Sequence, residues 1–296
     1  MMRKTSNPFE DFVAEVTGLN VAAGGPDDVF AELQALLDRY AVLVLPEQPI
    51  DEEQQLAFAS RFGPLEVSLA ASMYNSKSPR RLNRPELSDI SNLDDKGAIL
   101  KKDDVRRLIN LSNQLWHTDS SFKQIPASIS MLSAQEITPV GGGTEFADMR
   151  AAWDALLDEK KRKLEGLIAI HDYFHSRSLT GFDVNGVPDE WRKQQPPVPQ
   201  VLVRTHPGSK RKSLYLASHI SAIQGMSREQ SDQLVQELMR HATQPQFVYR
   251  HRWRVNDIVI WDNRCTMHRG QPFNEAYRRS MRRATVQDVG PTVLPA

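Results

Sequence analysis

Apolar positions fall into short blocks of two kinds along this chain. Behind Pro26-Asp27-Asp28, Ala31, Leu33, Leu36 and Leu37 recur at helical spacing, which predicts an amphipathic helix. Ala41-Val42-Leu43-Val44-Leu45 follows as an apolar strand that stops at Pro46, and Asp51 is placed to cap a second helix reaching about Phe62. Residues 128–137 alternate enough to form a strand, and Asp148 opens a further helix. The run Asp158-Glu159-Lys160-Lys161-Arg162-Lys163 mixes acids and bases and reads as a solvated helix face. Strands are expected at about 201–205 and 213–217. A helix over 228–243 would carry Leu234, Leu238 and Met239 on one face. Three strands close the pattern, at 247–253, 257–262 and 281–287, before a tail rich in Pro and Gly.

Two stretches lack a period. Residues 74–107 are polar, with Pro79 and Pro85, and predict a long loop or lid inserted into one domain with little core of its own. Residues 171–200, with Gly181, Gly186 and Pro196-Pro197, read as irregular. There is no regular β–α alternation and no glycine-rich phosphate loop, which argues against a doubly wound nucleotide fold. A mainly β fold with flanking helices, two antiparallel sheets forming a jelly roll, suits the order better.

Composition narrows the function classes. Lys+Arg and Asp+Glu both number 37, so no global field favours nucleic acid or an acidic membrane, although a local basic patch for a small anion stays open. Cys265 is the single cysteine, so no internal disulfide forms, and the expected role is a small buried apolar residue. The first residues contain no apolar signal-peptide core, and no apolar run approaches the ~18 residues of a membrane span. A cytoplasmic protein without membrane or nucleic-acid partners is expected; a homo-oligomer is left open.

Candidate chemistry centres on Leu115-Trp116-His117-Thr118-Asp119. On a strand, residues two apart share a face, so His117 and Asp119 could bind one ion together. His268 lies far downstream. Two histidines and a carboxylate on one face of a metal leave the opposite face open, the ligand set of non-haem Fe(II) oxygenases. A His-x-Asp pair alone also arises in a surface turn or as a buried ion pair. Three features add weight: His268 follows the apolar strand through Ile258-Val259-Ile260-Trp261, Arg279 and Arg283 come after it four residues apart, and Thr144 follows Gly141-Gly142-Gly143.

These pieces together resemble the taurine-dioxygenase superfamily of Fe(II)/α-ketoglutarate-dependent oxygenases. Within it the chain is most similar to the 2,4-dichlorophenoxyacetate/α-ketoglutarate dioxygenase group. Gln54-Gln55-Leu56-Ala57-Phe58-Ala59, Arg61-Phe62-Gly63-Pro64-Leu65-Glu66, Asn113 to Phe122, Thr144-Glu145-Phe146, Asp148-Met149-Arg150-Ala151-Ala152 and Trp261-Asp262-Asn263-Arg264 carry the likeness. Asn113-Gln114-Leu115-Trp116-His117 and Tyr249-Arg250-His251-Arg252-Trp253 point to the narrower group. The resemblance covers about residues 40 to 288. It implies a double-stranded β-helix (cupin-like) and an iron site made by His117, Asp119 and His268.

The resemblance also implies O2 and α-ketoglutarate as cosubstrates. The keto acid's far carboxylate would rest on Arg279 with Thr144, since a guanidinium grips a carboxylate bidentately. Arg283, four residues on and on the same strand face, would bind the carboxylate of the primary substrate, and His219 is a further candidate to touch it. The competing reading makes Arg278, Arg279, Arg282 and Arg283 a solvated basic sheet edge. Trp116 and Phe122 either wall the pocket or belong to the core. His206, His241 and His251 are not read as ligands. His171 and His175 would share a helix face but have no third ligand nearby, so no zinc site is read.

One departure stands out. Relatives carry a basic side chain shortly after the Gly-Pro-Leu-Glu segment, whereas Val67-Ser68-Leu69-Ala70-Ala71-Ser72-Met73 has none, which predicts a more apolar pocket mouth, with 69–73 bordering an aryl ring. The implied reaction oxidises an aryloxyalkanoic acid beside its ether oxygen, as in aromatic-compound catabolism. The product collapses to a phenol and glyoxylate, with succinate and CO2 from the keto acid. A sulfonate or alkyl-sulfate dioxygenase, a zinc hydrolase and a non-redox metal-binding jelly roll are the alternatives.

Overall fold

The computed structural model describes residues 3–5, 11–69, 71–72 and 80–294. Its largest sheet has seven strands. They are ordered β1 (Arg3–Thr5), β2 (Val13–Thr17), β3 (Val42–Leu45), β13 (Ile258–Asp262), β5 (Ala127–Glu136), β15 (Ser280–Gln287) and β4 (Leu87–Asp89). All neighbours are antiparallel except β2 and β3. The central strand β13 is buried along its whole length because both of its faces are covered. Ile258 and Ile260 point outward, onto α1 (Asp27–Tyr40) and α2 (Glu52–Ala59) through Leu33, Leu37 and Phe58. Val259 and Trp261 point inward, where they meet Leu132, Met281 and Phe146.

Phe146 belongs to the facing sheet, β12 (Val248–His251), β6 (Thr144–Asp148) and β14 (Thr266–Gly270). Its ring packs 5.5 Å from that of Trp261, so one aromatic pair bridges the layers. Two antiparallel sheets closed on each other in this way, with helices outside, form a jelly roll. A smaller sheet of β11 (Ile220–Ile223), β7 (Ile168–His171) and β8 (Val198–Val201) extends it, with the hairpin of β9 (Val203–Thr205) and β10 (Lys212–Leu214). Helix α8 (Arg228–Ala242) covers this end, burying Leu238 against a cluster that holds Ile220 and Ile223.

Local sequence explains the helix ends. Asp51 accepts from the Gln54 backbone N–H while the Gln54 side chain accepts from Asp51 N–H, a reciprocal cap that fixes where α2 starts. Asp148 accepts from the N–H groups of Arg150 and Ala151 and opens α4 (Met149–Asp154). The charged run forms α5 (Asp158–Leu164), mostly exposed as expected.

Four segments differ from the sequence reading. Residues 171–200 are not irregular: α6 (Tyr173–Ser178), α7 (Asp189–Gln194) and β8 lie there, each too short to show a period. The strands expected at 201–205 and 213–217 shift to β8–β9 and β10. Within 80–107, polar composition conceals β4, the start of α3 (Val105–Leu111) and the buried side chains Leu82, Leu87 and Leu93; β4 pairs with β15, Arg282 opposite Asp89. The remainder of 74–107, residues 74–79, lies outside the described residues. His117 and Asp119 do not share a strand: His117 forms a single bridge and Asp119 begins a turn. Among the described residues no helix is long and apolar enough to cross a membrane.

Candidate active site

His117 and His268 face each other as an isolated antiparallel bridge. His117 N–H donates to the His268 carbonyl at 3.0 Å, and His268 N–H to that of His117 at 2.8 Å. This places the two rings 4.2 Å apart between centroids. The turn after His117, with Ser120 at φ +52°, folds Asp119 back toward them. Asp119 Oδ1 comes 3.9 Å from His117 Nε2, and Oδ2 comes 3.7 Å from His268 Nε2. One ligand atom from each of the three residues lies within 4.8 Å of the others. A turn thus achieves what the expected strand pairing would have.

Each side chain is held from behind. His117 Nδ1 lies 2.7 Å from the Leu115 carbonyl, which assigns the ring proton to Nδ1 and leaves Nε2 as a lone pair facing Asp119. Asp119 Oδ2 accepts from Ser130 Oγ at 2.7 Å, and Oδ1 accepts from Arg283 Nη1 at 2.5 Å. Asn263 receives the Asp119 N–H and the Trp261 indole N–H on Oδ1 while its amide donates to Ser130. The Trp-Asp-Asn-Arg motif therefore acts through Asn263 as a brace for the carboxylate. Burial pushes the Asp119 carboxyl up, but Arg283 and then His268 and His117 outweigh it and bring it down to about 2. Burial holds His117 below, and His268 well below, the ordinary histidine value, so both are neutral imidazoles. Neutral nitrogens and one carboxylate are the donor set that a divalent transition metal takes.

Beside this group lies a cavity of about 100 Å³ bordered by Thr144, Leu132, Trp261, His268 and Arg279. Arg279 is buried with no acidic partner among the described residues; only two carbonyls, of Ile90 and Gly142, stand 3.4 and 3.3 Å from its nitrogens. Burial lowers its guanidinium to about 10. A buried cation with no counter-charge is a site awaiting an anion. The Trp253 indole N–H occupies the Thr144 oxygen at 3.0 Å, which leaves the Thr144 hydroxyl proton to donate into the cavity. The glycines before Thr144 are there for space. A Cβ on Gly142, at φ +69°, would press on Thr138 at 3.0 Å, and one on Gly143 would come 2.8 Å from the His251 carbonyl.

A larger cavity of about 660 Å³ opens on the other side of the triad, bordered by Leu69, Phe122, Tyr173, Arg177, His219 and Arg283 among others. Phe122 walls it, packed 4.8 Å from both Tyr173 and His219. Trp116 does not: it packs against the cluster under α8 with Arg269 stacked over its ring. The expected apolar mouth is only partly found. Leu69 borders the cavity and residues 70 and 73 lie outside the described residues, but Arg80, Arg81, Lys123 and Arg177 supply cations from other segments. Lys123 is paired with Glu66 at 2.6 Å and Arg81 with Asp89 at 2.5 Å, whereas Arg177 has no acidic partner among the described residues.

The remaining histidines are structural or lie behind the site. His206 bonds Asp262 at 2.9 Å, His241 the Ala152 carbonyl at 2.7 Å, and His251 pairs with Asp257 at 3.2 Å. His171 ends β7 and His175 is in α6, so they share no helix face. A second His–Asp–Cys group, His206, Asp262 and Cys265, is already satisfied by Arg264, which takes both Asp262 oxygens. Cys265 is buried, and burial pushes its thiol up to about 12, which fits the expected inert role. Ser130, Arg177 and the pair Ser121–His171 were not singled out by sequence. Asn263 and Trp253 were present in the motifs without an assigned role.

A jelly roll that buries two histidines and a carboxylate between its sheets, with an unpaired arginine alongside, has the architecture of a non-haem dioxygenase. The family described as taurine catabolism dioxygenase TauD, TfdA matches residues 5–285. The α-ketoglutarate-dependent 2,4-dichlorophenoxyacetate dioxygenase of Cupriavidus pinatubonensis is 43% identical over 288 residues, 97% of this chain and 99% of that protein. The enzyme of the same description from a Burkholderia species is 44% identical over 274 residues, 93% of this chain and 91% of its own length. The crystal structure of AAD-2 in complex with Mn(II) and N-oxalylglycine superposes with a TM-score of 0.88 at 44% identity, covering 100% of this chain and 99% of that one. The chain belongs to the TauD, TfdA dioxygenase family.

Proposed function

We propose that the protein is an Fe(II)- and α-ketoglutarate-dependent dioxygenase that oxidises an aryloxyalkanoic acid to a phenol and glyoxylate. The observation that carries this reading is the placement of a buried, acid-free Arg279 one small cavity away from a triad of neutral imidazoles and an ionised carboxylate. His117, Asp119 and His268 would hold the metal, and the residues fit it: three donors converge, and Ser130, Asn263 and the Leu115 carbonyl fix their orientation. Bound there, Fe(II) supplies, with O2 and α-ketoglutarate, the oxidising power that the side chains lack, and succinate and CO2 are the coproducts.

The chain's own residues supply positioning. Arg279 and Thr144 receive the far carboxylate of α-ketoglutarate, the guanidinium through a two-pronged contact and the hydroxyl through the proton that Trp253 leaves free. Arg279 precedes β15 by one residue, with a register irregularity between Ser280 and Met281, so the two arginines do not share a strand face as expected; Arg283, within β15, borders both cavities. One of its nitrogens is committed to Asp119, and its Nε is buried without a hydrogen-bond partner among the described residues. The guanidinium retains donors for the substrate carboxylate. Phe122 and Leu69 give the aryl ring an apolar wall. Relatives named for (S)-phenoxypropionate oxidation, 37% identical over 278 residues in Sphingobium herbicidovorans, are in keeping with an aryloxy acid in a cavity of this size.

The test is an anaerobic titration of the protein with Fe(II) and α-ketoglutarate. Aerobic turnover of phenoxyacetates, phenoxypropionates, taurine and an alkyl sulfate then follows side by side, reading succinate and phenol. Phenol release stoichiometric with succinate is expected for the aryloxy acids. Preferential turnover of taurine or the sulfate would replace the substrate class, and product formation without O2 would remove the dioxygenase reading.

A further inference from the structure

Behind the larger cavity runs a buried polar chain that metal binding does not use. His219 Nδ1 lies 3.0 Å from Ser121 Oγ, and the same oxygen lies 3.0 Å from His171 Nδ1. Ser121 and His171 are wholly buried and His219 nearly so. Neither imidazole is within ion-pair distance of a carboxylate among the described residues. Burial brings His171 down to about 3 and holds His219 well below its ordinary value. Each ring is neutral and carries one N–H.

A serine hydroxyl has one proton to give. It donates to one of the two Nδ1 atoms while accepting from the other; accepting from both would strand its own proton, since the Ser121 hydroxyl has no other acceptor among the described residues. Two arrangements follow, and they differ at the far nitrogens. If His219 donated, the Ser121 proton would go to His171 Nδ1, and His171 would carry its own proton on Nε2. That atom is buried with no hydrogen-bond partner among the described residues, so a donor would be stranded. If His171 donates instead, its Nε2 is only a lone pair, and Ser121 gives its proton to His219. Buried donors without acceptors are much rarer than under-used acceptors. The second arrangement wins, and His219 then carries its proton on Nε2. His219 borders the larger cavity, and its Nε2 makes no hydrogen bond among the described residues. Arg177 borders the same cavity, stacked over Tyr173 with its Nη1 on Ser112 Oγ and its Nε without a hydrogen-bond partner among the described residues.

We propose that His171 and Ser121 are positioning residues that lock His219 as the Nε2–H tautomer, so that it donates a hydrogen bond to an acceptor oxygen of the substrate. The use of that donor rests on the larger cavity receiving an oxygen-bearing acid as read above; the tautomer does not. The relay also explains why a serine follows Ser120 in the turn after Asp119: it reaches between β7 and the residues preceding β11.

The test reads the tautomer directly by two-dimensional NMR of 15N-histidine-labelled protein loaded with diamagnetic Zn(II) and α-ketoglutarate, with His219 assigned by its loss in His219→Gln. A proton-bearing Nε2 and a bare Nδ1 are expected. Ser121→Ala and His171→Phe should each release that preference and raise KM for phenoxyacetate by about two- to fivefold, the share of rings that no longer present the donor, with KM for α-ketoglutarate unchanged. His171→Asn keeps an N–H near the Nδ1 position and should restore both. A wild-type His219 protonated on Nδ1 overturns the relay, as does a His171→Phe protein that retains the tautomer and the KM. Equal rises in both KM values would make the chain purely structural and also overturn it. Should a variant fail to fold, the wild-type spectrum decides alone. Should no aryloxy acid be oxidised, the substrate reading falls while the spectrum still decides the relay.

Discussion

At the scale of single residues, two arginines four positions apart stand in different surroundings: Arg283 has an acidic partner and Arg279, among the described residues, has none. Arg279 is buried with carbonyls at the limit of hydrogen bonding and, among the described residues, no acid, so an incoming carboxylate would be its counter-charge. Arg279→Ala should weaken α-ketoglutarate binding by tens- to thousands-fold, since losing a buried carboxylate contact costs about 2–5 kcal/mol. Anaerobic titration of the Fe(II) protein checks this, and an unchanged affinity would remove Arg279 from the site. Arg283 instead donates to Asp119, so a substrate contact would be its second role. Arg283→Leu should raise KM for an aryloxy acid well above its effect on KM for α-ketoglutarate, and should also weaken Fe(II) retention. Loss of Fe(II) retention alone, with a normal KM for the aryloxy acid, would reduce Arg283 to a support for Asp119. Asp119→Ala deletes the anionic donor itself and should abolish iron-dependent succinate release. Turnover near the wild-type rate would void the triad.

At the scale of elements, the aromatic stack that joins the sheets carries the site with it. Phe146 on β6 lies 5.5 Å from Trp261 on β13 and 6.1 Å from His268 on β14. Phe146→Ala should cost about 3–5 kcal/mol of stability, read by urea unfolding, and loosen Fe(II) binding, because His268 loses the surface it rests on. A stability loss below ~1 kcal/mol would mean that the layers are held elsewhere. The same elements show what was legible. The strand β13 announces itself as an unbroken apolar run, α1 and α8 by apolar residues at helical spacing, and α2 and α8 by their reciprocal caps. Strand β14, Thr-Met-His-Arg-Gly, has no such pattern; it exists by pairing with β6, over a hundred residues away. The ligands His117, Asp119 and His268 could be found because metal chemistry restricts residue type. Ser130, Ser121 and Arg177 could not, since a serine or arginine alone signals nothing and their partners Asn263, His219 and Ser112 lie far off in sequence, and His171 is noticed only beside His175. The wrong local geometry, a strand where a turn stands, still picked out two side chains that converge with His268, and Ser120 supplies that convergence with a left-handed backbone.

At the scale of the whole molecule, the two sheets are joined by the short connection between β13 and β14, and that connection holds a buried charge cluster. Asp262 accepts from Arg264 and from His206, which reaches in from beyond β9, and the next residue, Asn263, braces Asp119. Burial would push the Asp262 carboxyl up, but Arg264 and His206 reverse this and hold it far below the usual carboxylate range. A carboxyl whose value falls on folding contributes stability that is fully present above its unfolded value, about 3.9, and is lost as pH drops from there toward its folded value. Asp262→Asn removes that contribution and leaves Arg264 buried without its anion, at a cost of about 3–5 kcal/mol. The variant should therefore be much less stable than the wild type at pH 7 and at pH 5. The gap should narrow between pH 4 and pH 3, where the wild type begins to lose the ionised-pair contribution that the variant never had. Urea midpoints measured across this range give the comparison. A gap that stays constant down to pH 3 would show that the penalty comes from packing around residue 262, and the charge cluster would then not be what locks the two sheets around the site.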